Sequence, residues 1–334
     1  MATRNVTIKD IAKEAKVSAV TVSMVLNNKP NISQATRDTV QAIAKKLNYR
    51  PNLVAKSLLS DKTLTLGVVT SNFYAINYAS VWQGIESAAS QNGYSVIFSS
   101  SDEQPEKEKN AIEILIQKRV DGILLVAPMC TSKKDLQLLD SFGIPYVMLL
   151  RRDPNNPTDA CLNNNIKGGY EILDYLIETG SKKLFFLTFE TSVLSGKERM
   201  VGYNQALQKH GLALDDFEIV RAYASIESGH AAMKDILENG LDADTIVCGC
   251  DLLAVGALEA LRERSIKVPE EVRVVGYDDI ELSAYISTPL TTVKQPFIEI
   301  GKTGVNILLE RINTPQMPIK QIILDGKLIT RKST

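Results

Sequence analysis

The chain has 334 residues and is 44% hydrophobic, so it can bury a large core, and its length favours two or three domains. It contains no apolar run near the roughly 18 residues of a membrane span, and no secretory apolar stretch follows its N-terminus. The sequence therefore predicts a cytoplasmic protein. Four scattered cysteines are expected to be buried free thiols: Cys130, Cys161, Cys248 and Cys250.

Charge divides the chain into two unequal parts. Residues 1–60 hold ten Lys and Arg against three Asp and Glu, whereas the other 274 residues hold 28 basic and 36 acidic side chains. A compact cationic module is typical of a polyanion binder, because each Lys or Arg near a phosphate releases a condensed counterion. The N-terminal part is thus a candidate for binding nucleic acid.

Three short helices are predicted in this basic part. Thr7 can cap the first helix, and Asp10 lies three residues on, as in a capping box. Ser18 can cap the second helix, and Ser33 can cap a third that stops before Pro51. The tight turn between the first two helices indicates a helix-turn-helix, whose second helix enters the major groove of DNA.

At these residues the chain resembles the lactose-repressor (LacI/GalR) family of bacterial regulators. The match joins residue types and spacing over some fifty positions. It is carried by Thr7-Ile8-Lys9-Asp10-Ile11-Ala12, Val17-Ser18, Thr21-Val22-Ser23 and Asn48-Tyr49-Arg50-Pro51-Asn52.

The resemblance implies DNA-binding roles for named residues. Ala19, Val20 and Met24 fall where the family reads bases. Its phosphate contacts fall at Thr7, Ser18, Thr21, Ser23, Asn27, Asn31, Ser33 and Thr36. Met24 stands where many members carry Arg, and Met cannot make a bidentate contact to guanine. Ala19 and Val20 offer only apolar contact, for example to thymine methyl groups, so an unusual operator or weaker direct readout is expected. The alternative for Met24 is a core-facing side chain.

Residues 51–61 are predicted to form a hinge helix or linker. The stretch Asn52-Leu53-Val54-Ala55-Lys56-Ser57-Leu58 resembles the hinge helix of the family, and it is too short to be helical alone in water. The resemblance implies that this segment becomes ordered when it pairs with its dimer mate over DNA. It also implies that Leu58 wedges into the minor groove. A plain amphipathic linker is the alternative.

From Leu64 onward, short apolar runs alternate with helical periods. Strands are predicted at 64–69, 94–98, 122–126, 146–150, 184–189, 245–248 and 272–275. Helices are predicted near 80–92, 105–119, 133–142, 166–179, 196–210, 228–239 and 251–264. Such alternation is typical of parallel sheets covered on both faces, and this many elements fit two sheets better than one.

The resemblance implies the full architecture. It consists of a small all-α helix-turn-helix headpiece and an α/β core of two doubly wound parallel-sheet subdomains. The core is similar to periplasmic binding proteins, whose lobes close over a ligand by a hinge. The expected domains are residues 1–50 for DNA binding, 51–61 for the hinge, 62–162 with 292–322 for the N-subdomain, and 163–291 with 323–334 for the C-subdomain. The C-subdomain is expected to contribute the effector cleft and dimerisation.

Ligands of open parallel sheets bind beyond the carboxyl ends of the strands. Asn72 and Phe73 follow the first strand at that edge. Arg199 and Asp251 match the ligand-binding arginine and aspartate of the family. A guanidinium fork and a carboxylate suit the vicinal hydroxyls of a sugar. The alternative for both is a charge on the surface or at a helix end.

Two further effector candidates are weaker. His230 falls where some family members place an aromatic ring against the ligand, although a solvent-facing helix histidine fits equally well. Asp278 closes the Gly276-Tyr277-Asp278 motif and could instead be structural. The loop after the first strand is longer than usual, and Asn163 stands where the family often has Asp.

The predicted function is a DNA-binding transcriptional regulator, most simply a repressor that binds a palindromic operator as a homodimer. The resemblance implies control by a small-molecule effector, a sugar or sugar derivative. Control by a protein corepressor and a solute-binding role remain alternatives. An enzyme is not expected, because the only two histidines, His210 and His230, lack triad partners or metal-ligand spacing. No cofactor, metal or membrane partner is predicted.

Overall fold

The structure, a computed structural model, describes residues 6–49, 62–71, 76–126, 133–153, 155–189, 194–214 and 217–334. The chain divides into two compact units, Met1–Thr63 and Leu64–Thr334. The predicted hinge at 51–61, with Leu58, lies outside the described residues, as do Asn72, Phe73 and Cys130. No helix in the described ranges is both long and apolar enough to cross a membrane.

The N-terminal unit contains the three predicted helices: α1 (Ile8–Ala15), α2 (Ala19–Leu26) and α3 (Gln34–Lys46). They pack around Ile11, Val22, Val25 and Val40, each with no exposed surface. These positions lie on one face of each helix, so burial of this shared face holds the small unit together.

Local hydrogen bonds set the start of each helix. The Asp10 carboxylate accepts the Thr7 N–H at 2.8 Å, as the predicted capping box requires. Ser18 Oγ accepts the Thr21 N–H at 3.0 Å, and Ser33 starts α3 in the same way. The chain turns between α1 and α2 at Lys16, whose φ of 56° stops the first helix.

The first sheet of the larger unit is six-stranded and parallel, in the order β11-β5-β4-β3-β1-β2. Its strands are β1 (Thr65–Thr70), β2 (Ser95–Ser100), β3 (Gly122–Val126), β4 (Tyr146–Leu149), β5 (Ala160–Asn163) and β11 (Gln321–Leu324). Helices α4 (Ala79–Gln91) and α12 (Phe297–Asn313) cover one face. Helices α5 (Pro105–Gln117) and α6 (Lys133–Ser141) cover the other.

The second sheet is four-stranded and parallel, in the order β7-β6-β8-β9. Its strands are β6 (Leu184–Thr188), β7 (Glu218–Arg221), β8 (Thr245–Cys248) and β9 (Arg273–Val275). One face packs on α7 (Asn165–Glu178) and α8 (Leu194–Lys209), and the other on α9 (Ile226–Asn239) and α10 (Asp251–Glu263). The short helix α11 (Leu282–Tyr285) follows β9. Two parallel sheets covered by helices agree with the predicted fold class.

The chain passes between the two sheets three times. It leaves the first sheet after β5 and returns through β10 (Thr292–Lys294). After β11 it reaches β12 (Lys327–Ile329), which pairs antiparallel with β10. The exact domain boundaries within the larger unit stay predictions.

Helices α7 and α8 approach each other closely at two glycines. A Cβ on Gly169 would lie 2.6 Å from the Arg199 carbonyl oxygen, and a Cβ on Gly202 would overlap the Ile166 carbonyl. Because only glycine fits there, the backbone of α8 is fixed against α7 at the turn that carries Arg199.

Several elements were absent from the sequence prediction. Helix α12 is the longest omission, with an apolar face that includes Ile300, Val305 and Leu308, each with no exposed surface. It follows Pro296 and has no side-chain cap to mark its start. Strands β5, β7, β10, β11 and β12 have only three or four residues each, too few to show a period of two.

Candidate functional site

Helix α2 presents an apolar surface at the three predicted base-reading positions. Val20 is 68% exposed, although it is a large hydrophobic residue. Ala19 is half-buried and packs against the hydrophobic cluster of the unit. Met24 is half-buried but does not belong to that cluster, as far as residues 6–49 show. The core-facing alternative for Met24 therefore lacks support in this packing.

The polar side chains of α2 bond locally. Thr21 Oγ1 lies 2.9 Å from Ser18 Oγ, and the Asn27 side-chain amide donates to the Ser23 carbonyl at 2.9 Å. The eight residues of the helix, Ala-Val-Thr-Val-Ser-Met-Val-Leu, include no charged side chain. Direct base readout by this helix would therefore depend on apolar contact.

Most of the predicted phosphate contacts lie around helix N-termini. Thr7, Ser18 and Ser33 are the exposed residues that precede α1, α2 and α3, and Thr36 Oγ1 lies 2.8 Å from Ser33 Oγ. Asn31 is exposed, with a φ of 70°. N–H groups at helix N-termini and neighbouring hydroxyls suit phosphate binding. These roles stay predictions.

In the larger unit, Arg199 lies buried at the carboxyl ends of the second sheet. Its Nη1 donates to the Gly249 carbonyl at 2.6 Å, and Nη2 lies 3.6 Å from Asp278 Oδ1. The guanidinium stacks 3.6 Å from the centroid of the Tyr277 ring. Burial disfavours the charged guanidinium, but the neighbouring Asp278 helps raise the pKa of Arg199 above its usual value. The structure thus brings together two predicted effector residues.

Asp278 combines burial with an unusual backbone. It is 8% exposed, has a φ of 126°, and accepts a hydrogen bond from the Gln295 amide. Burial raises the pKa of its carboxyl to about 7, although Arg199 and Gln295 oppose the shift. A carboxyl with a pKa near neutrality can either accept or donate a hydrogen bond to a ligand.

Replacing Asp278 with asparagine should change how stability depends on pH. Because the folded pKa is about 7 against an ordinary value of 3.8, the folded state binds the extra proton between these values. The contribution of Asp278 is therefore fully present below pH 3.8 and is lost as the pH rises through about 7, by at most about 1.4 kcal/mol per pH unit. Urea unfolding between pH 5 and 8 should show a flatter profile for Asp278→Asn than for wild type.

Asp325→Asn is the matched control for that experiment. A hydrogen bond from Lys167 lowers the pKa of Asp325 below its ordinary value, so this carboxylate is already ionised between pH 5 and 8. Its replacement should leave the slope over that range unchanged. Equal slopes for wild type and Asp278→Asn would contradict the raised pKa of Asp278.

Asp251, the third effector candidate, binds its own chain. Its carboxylate has no exposed surface and accepts hydrogen bonds from the Ile280 N–H at 2.9 Å, Ser283 Oγ at 2.7 Å and Thr292 Oγ1 at 2.6 Å. Burial raises its pKa, and the bonds from Thr292 and Ser283 oppose that rise. These bonds support the turn that carries Asp278, and an effector role for Asp251 stays a prediction.

His230 is not brought to this cluster. Its Nε2 lies 3.0 Å from Glu263 Oε1, at the C-terminal end of α10. The His230 backbone packs against Gly256 in the middle of that helix, and its ring pairs with the end opposite Asp251. An effector role for His230 stays a prediction without structural support.

Asn163, noted in the sequence as a departure from the family, lies at the end of β5, and two polar residues that the sequence did not point to, Asn165 and Gln295, also lie next to strand ends. Asn165 Oδ1 accepts from Arg199 Nε at 3.3 Å. Among the described residues, Asn163 Oδ1 and Gln295 Oε1 are buried without a hydrogen-bond partner. The available sequence signal was the polar run Asn163-Asn164-Asn165 itself, because β5, which ends at Asn163, was not predicted.

The six-stranded half contributes Tyr78 and Arg151 to the same region. Burial raises the pKa of the Tyr78 phenol, the Arg151 charge lowers it, and Asp278 raises it further. Tyr78 of the first half therefore lies close enough to Asp278 of the second for the Asp278 charge to act on the pKa of the phenol.

A second group of titratable side chains lies away from this cluster, on α7 and α8. His210 Nε2 and Lys209 Nζ each lie 2.7 Å from Asp174 Oδ1, and Glu178 is beside them. Lys209 thus occupies the place that a metal cation would take.

Cys161, Cys248 and Cys250 are buried free thiols as predicted, and burial raises the pKa of Cys161 and Cys250 to about 12.

A helix-turn-helix unit joined to a two-sheet core with a buried polar cluster defines a DNA-binding transcriptional regulator. Residues 7–52 match the bacterial regulatory proteins of the lacI family, and residues 173–334 match a periplasmic binding protein-like domain. The chain is 34% identical over 332 residues to the HTH-type transcriptional repressor PurR of Haemophilus influenzae (strain PittEE), with 98% of both proteins covered. The protein belongs to the lacI family.

Solved structures agree with this assignment. The lac repressor dimer bound to operator and the anti-inducer ONPF is 29% identical and covers 99% of both chains, with a TM-score of 0.88. The transcriptional regulator CelR in complex with cellobiose is 29% identical, with a TM-score of 0.74 and coverage of 99% of this chain and 100% of that one. The predicted family, fold class and DNA-binding regulatory role are confirmed.

Proposed function

We propose that the protein is a repressor that binds a palindromic operator as a homodimer, and that a sugar or sugar derivative in the cleft alters its operator affinity. The observation that carries the effector site is the buried Arg199–Asp278 pair, 3.6 Å apart, at the carboxyl ends of the second sheet. The solved lac repressor dimer on its operator and the cellobiose complex of CelR support the same roles in similar proteins.

The chemistry of the cleft favours a ligand rich in hydrogen-bond donors. Asn163 Oδ1 and Gln295 Oε1 are acceptors without a partner, and burial of an unpaired acceptor costs free energy. Hydroxyl groups of a sugar would satisfy both oxygens, and Asp278 can accept a further hydroxyl. The site binds its ligand without reaction, because none of these groups forms a nucleophile and base pair.

Exposed apolar side chains on the larger unit support self-association. Tyr285 is 79% exposed and Leu282 is 41% exposed on helix α11, and Ile97 is 37% exposed on the edge strand β2. A symmetric dimer would bury such residues and place two reading helices on two half-sites. Ligand binding would then change DNA affinity by a coupling free energy of about 1–3 kcal/mol. We place this action in the cytoplasm, where a bacterial chromosome lies.

A gel-shift titration against salt tests the DNA-binding proposal. The probe is the duplex that full-length protein enriches from a random library. The logarithm of the affinity should fall linearly with the logarithm of the salt concentration, because Lys and Arg contacts release counterions from phosphates. Failure to enrich any duplex, or an affinity independent of salt, would remove the proposed operator role.

Calorimetry with ribose, cellobiose, other sugars and nucleobases tests the effector proposal. A sugar that releases heat and shifts operator affinity supports it. Absence of heat from every compound would favour control by a protein corepressor. Sugar binding without any effect on DNA would favour a solute-binding role.

Replacing thymine with uracil in the enriched duplex should weaken binding through Val20. This change deletes only the C5 methyl group, and each methyl contact is worth about 0.8 kcal/mol, or about fourfold in affinity. The Val20→Ala variant should bind both duplexes equally. The control duplex carries uracil only in the flanks. Equal wild-type affinity for the thymine and uracil duplexes would contradict apolar readout by Val20.

A further inference from the structure

The turn that presents Asp278 has a strained backbone at two consecutive residues. Asp278 has a φ of 126° and Asp279 a φ of 55°, values that residues with a Cβ rarely adopt. We name residues 277–280 the cleft turn. A conformation of this kind persists only where surrounding contacts hold it.

One set of contacts holds the cleft turn from inside the protein. The Ile280 N–H donates to Asp251 Oδ2 at 2.9 Å, and the Asp278 N–H donates to the Val293 carbonyl at 2.9 Å. These bonds fix both sides of Asp279. They do not fix the Asp279 side chain.

A second set reaches the cleft turn from the C-terminus. Arg331 Nη2 lies 2.6 Å from Asp279 Oδ1, and the two side chains are 19% and 10% exposed. The Arg331 Nη1 donates to the Leu290 carbonyl at 2.7 Å. Lys294 Nζ lies 3.8 Å from Asp279 Oδ2 but is 60% exposed, so Arg331 is the closer and better buried partner.

The segment around Arg331 is itself fixed on both sides. Ser333 has no exposed surface; its Oγ accepts the Thr291 N–H at 2.8 Å and donates to the Val274 carbonyl at 2.6 Å. The Arg331 N–H donates to Thr291 Oγ1 at 2.9 Å. The last four residues therefore connect β9 with the chain that returns through β10.

We propose that Arg331 is a positioning residue of the effector cleft. Through its pair with Asp279, it holds the cleft turn in the strained conformation that directs Asp278 towards Arg199 and Gln295. The C-terminal segment thus forms part of the effector site without touching the ligand. The link to effector binding rests on the proposed effector role of Asp278.

Hydrogen–deuterium exchange of the full-length protein tests the positioning step without any ligand. In Arg331→Ala, amides of residues 276–283 should exchange at least about tenfold faster than in wild type, because loss of the pair lowers the free energy of local opening. Peptides from α5 and β3 should keep their wild-type rates. Asp279→Asn should give the same local change, because it removes the charge that Arg331 binds.

Two further variants separate positioning from general stabilisation. Lys332→Ala removes a neighbouring cation that is exposed, and it should exchange like wild type. Arg331→Lys keeps the charge but not the two-pronged donor, so it should restore part of the protection. Unchanged protection of 276–283 in Arg331→Ala would overturn the proposal, as would faster exchange spread evenly over residues 64–334.

Calorimetry then connects the turn to the effector. If a sugar binds wild-type protein, Arg331→Ala should bind it at least about tenfold more weakly, with Lys332→Ala unchanged. Equal affinity in wild type and Arg331→Ala would overturn the functional part of the proposal. If no sugar binds wild type, the proposed effector fails, and the exchange data alone decide whether Arg331 holds the turn.

Discussion

Replacing Ile11 with alanine should unfold the N-terminal helical unit and abolish operator binding. Ile11 is fully buried between the three helices, and loss of such a side chain costs about 2–5 kcal/mol. At about 0.05–0.15 kcal/mol per residue, a unit of this size has a total stability of the same order. Each 1.4 kcal/mol in favour of the unfolded unit lowers operator affinity about tenfold. Gel shift against the enriched duplex measures the loss.

Two observations make this result specific to the headpiece. The larger unit has its own hydrophobic clusters, so its thermal transition and its sugar binding should not change in Ile11→Ala. Val20→Ala is the control for folding: because this side chain is 68% exposed, the helical unit should stay folded by circular dichroism, and operator affinity should fall only by the roughly fourfold expected for one lost methyl contact. Wild-type operator binding by Ile11→Ala would show that the buried cluster does not support the reading helix.

Replacing Arg199 with methionine should have the largest effect on the larger unit. Above pH 7, where Asp278 is ionised in the wild type, the substitution leaves this buried carboxyl without its cation, and removal of one partner from a buried ion pair costs about 3–5 kcal/mol. The pKa of Asp278 should rise further above 7. The destabilisation should therefore grow as the pH rises from 5 to 8. Urea unfolding at both pH values measures it, and calorimetry should show loss of sugar binding.

A double variant and a surface control make this experiment decisive. Adding Asp278→Asn to Arg199→Met should recover part of the lost stability, because no buried charge then lacks a partner. Arg262→Met removes an exposed arginine paired with Glu259, so its stability should stay near that of wild type. If Arg199→Met has the same free energy of unfolding as Arg262→Met, the buried pair does not organise the cleft.

The headpiece could be predicted from sequence because its signals are local. Thr7, Ser18 and Ser33 each start a helix through a bond to a residue three positions away. The family motifs also pointed to Arg199 and Asp278, and these two side chains lie next to each other in the structure. The sequence predicts that Val20 and Met24 lie on the second helix. Their exposure depends on how the three helices pack, which the sequence does not show.

The role of Asp251 could not be predicted, because its partners are distant in sequence. Ser283 and Thr292 lie 32 and 41 positions further on, so no short motif shows that they use the carboxylate. The contacts of Gln295 and Arg331 could not be predicted for the same reason, because their partners depend on how the chain returns between the sheets. Only the folded structure shows such long-range contacts, because no local pattern in the sequence records them.

The glycines at 169 and 202 limit how such a protein can diversify. Any larger residue at either position would force α7 and α8 apart and move the backbone of Arg199. Substitutions at these two glycines therefore cannot adjust ligand specificity gradually, because each would disturb the helix packing. If Asn163 and Gln295 bind the effector as proposed, substitutions at these two strand ends can change specificity while the scaffold stays constant. Differences in effector choice among similar proteins should then concentrate there.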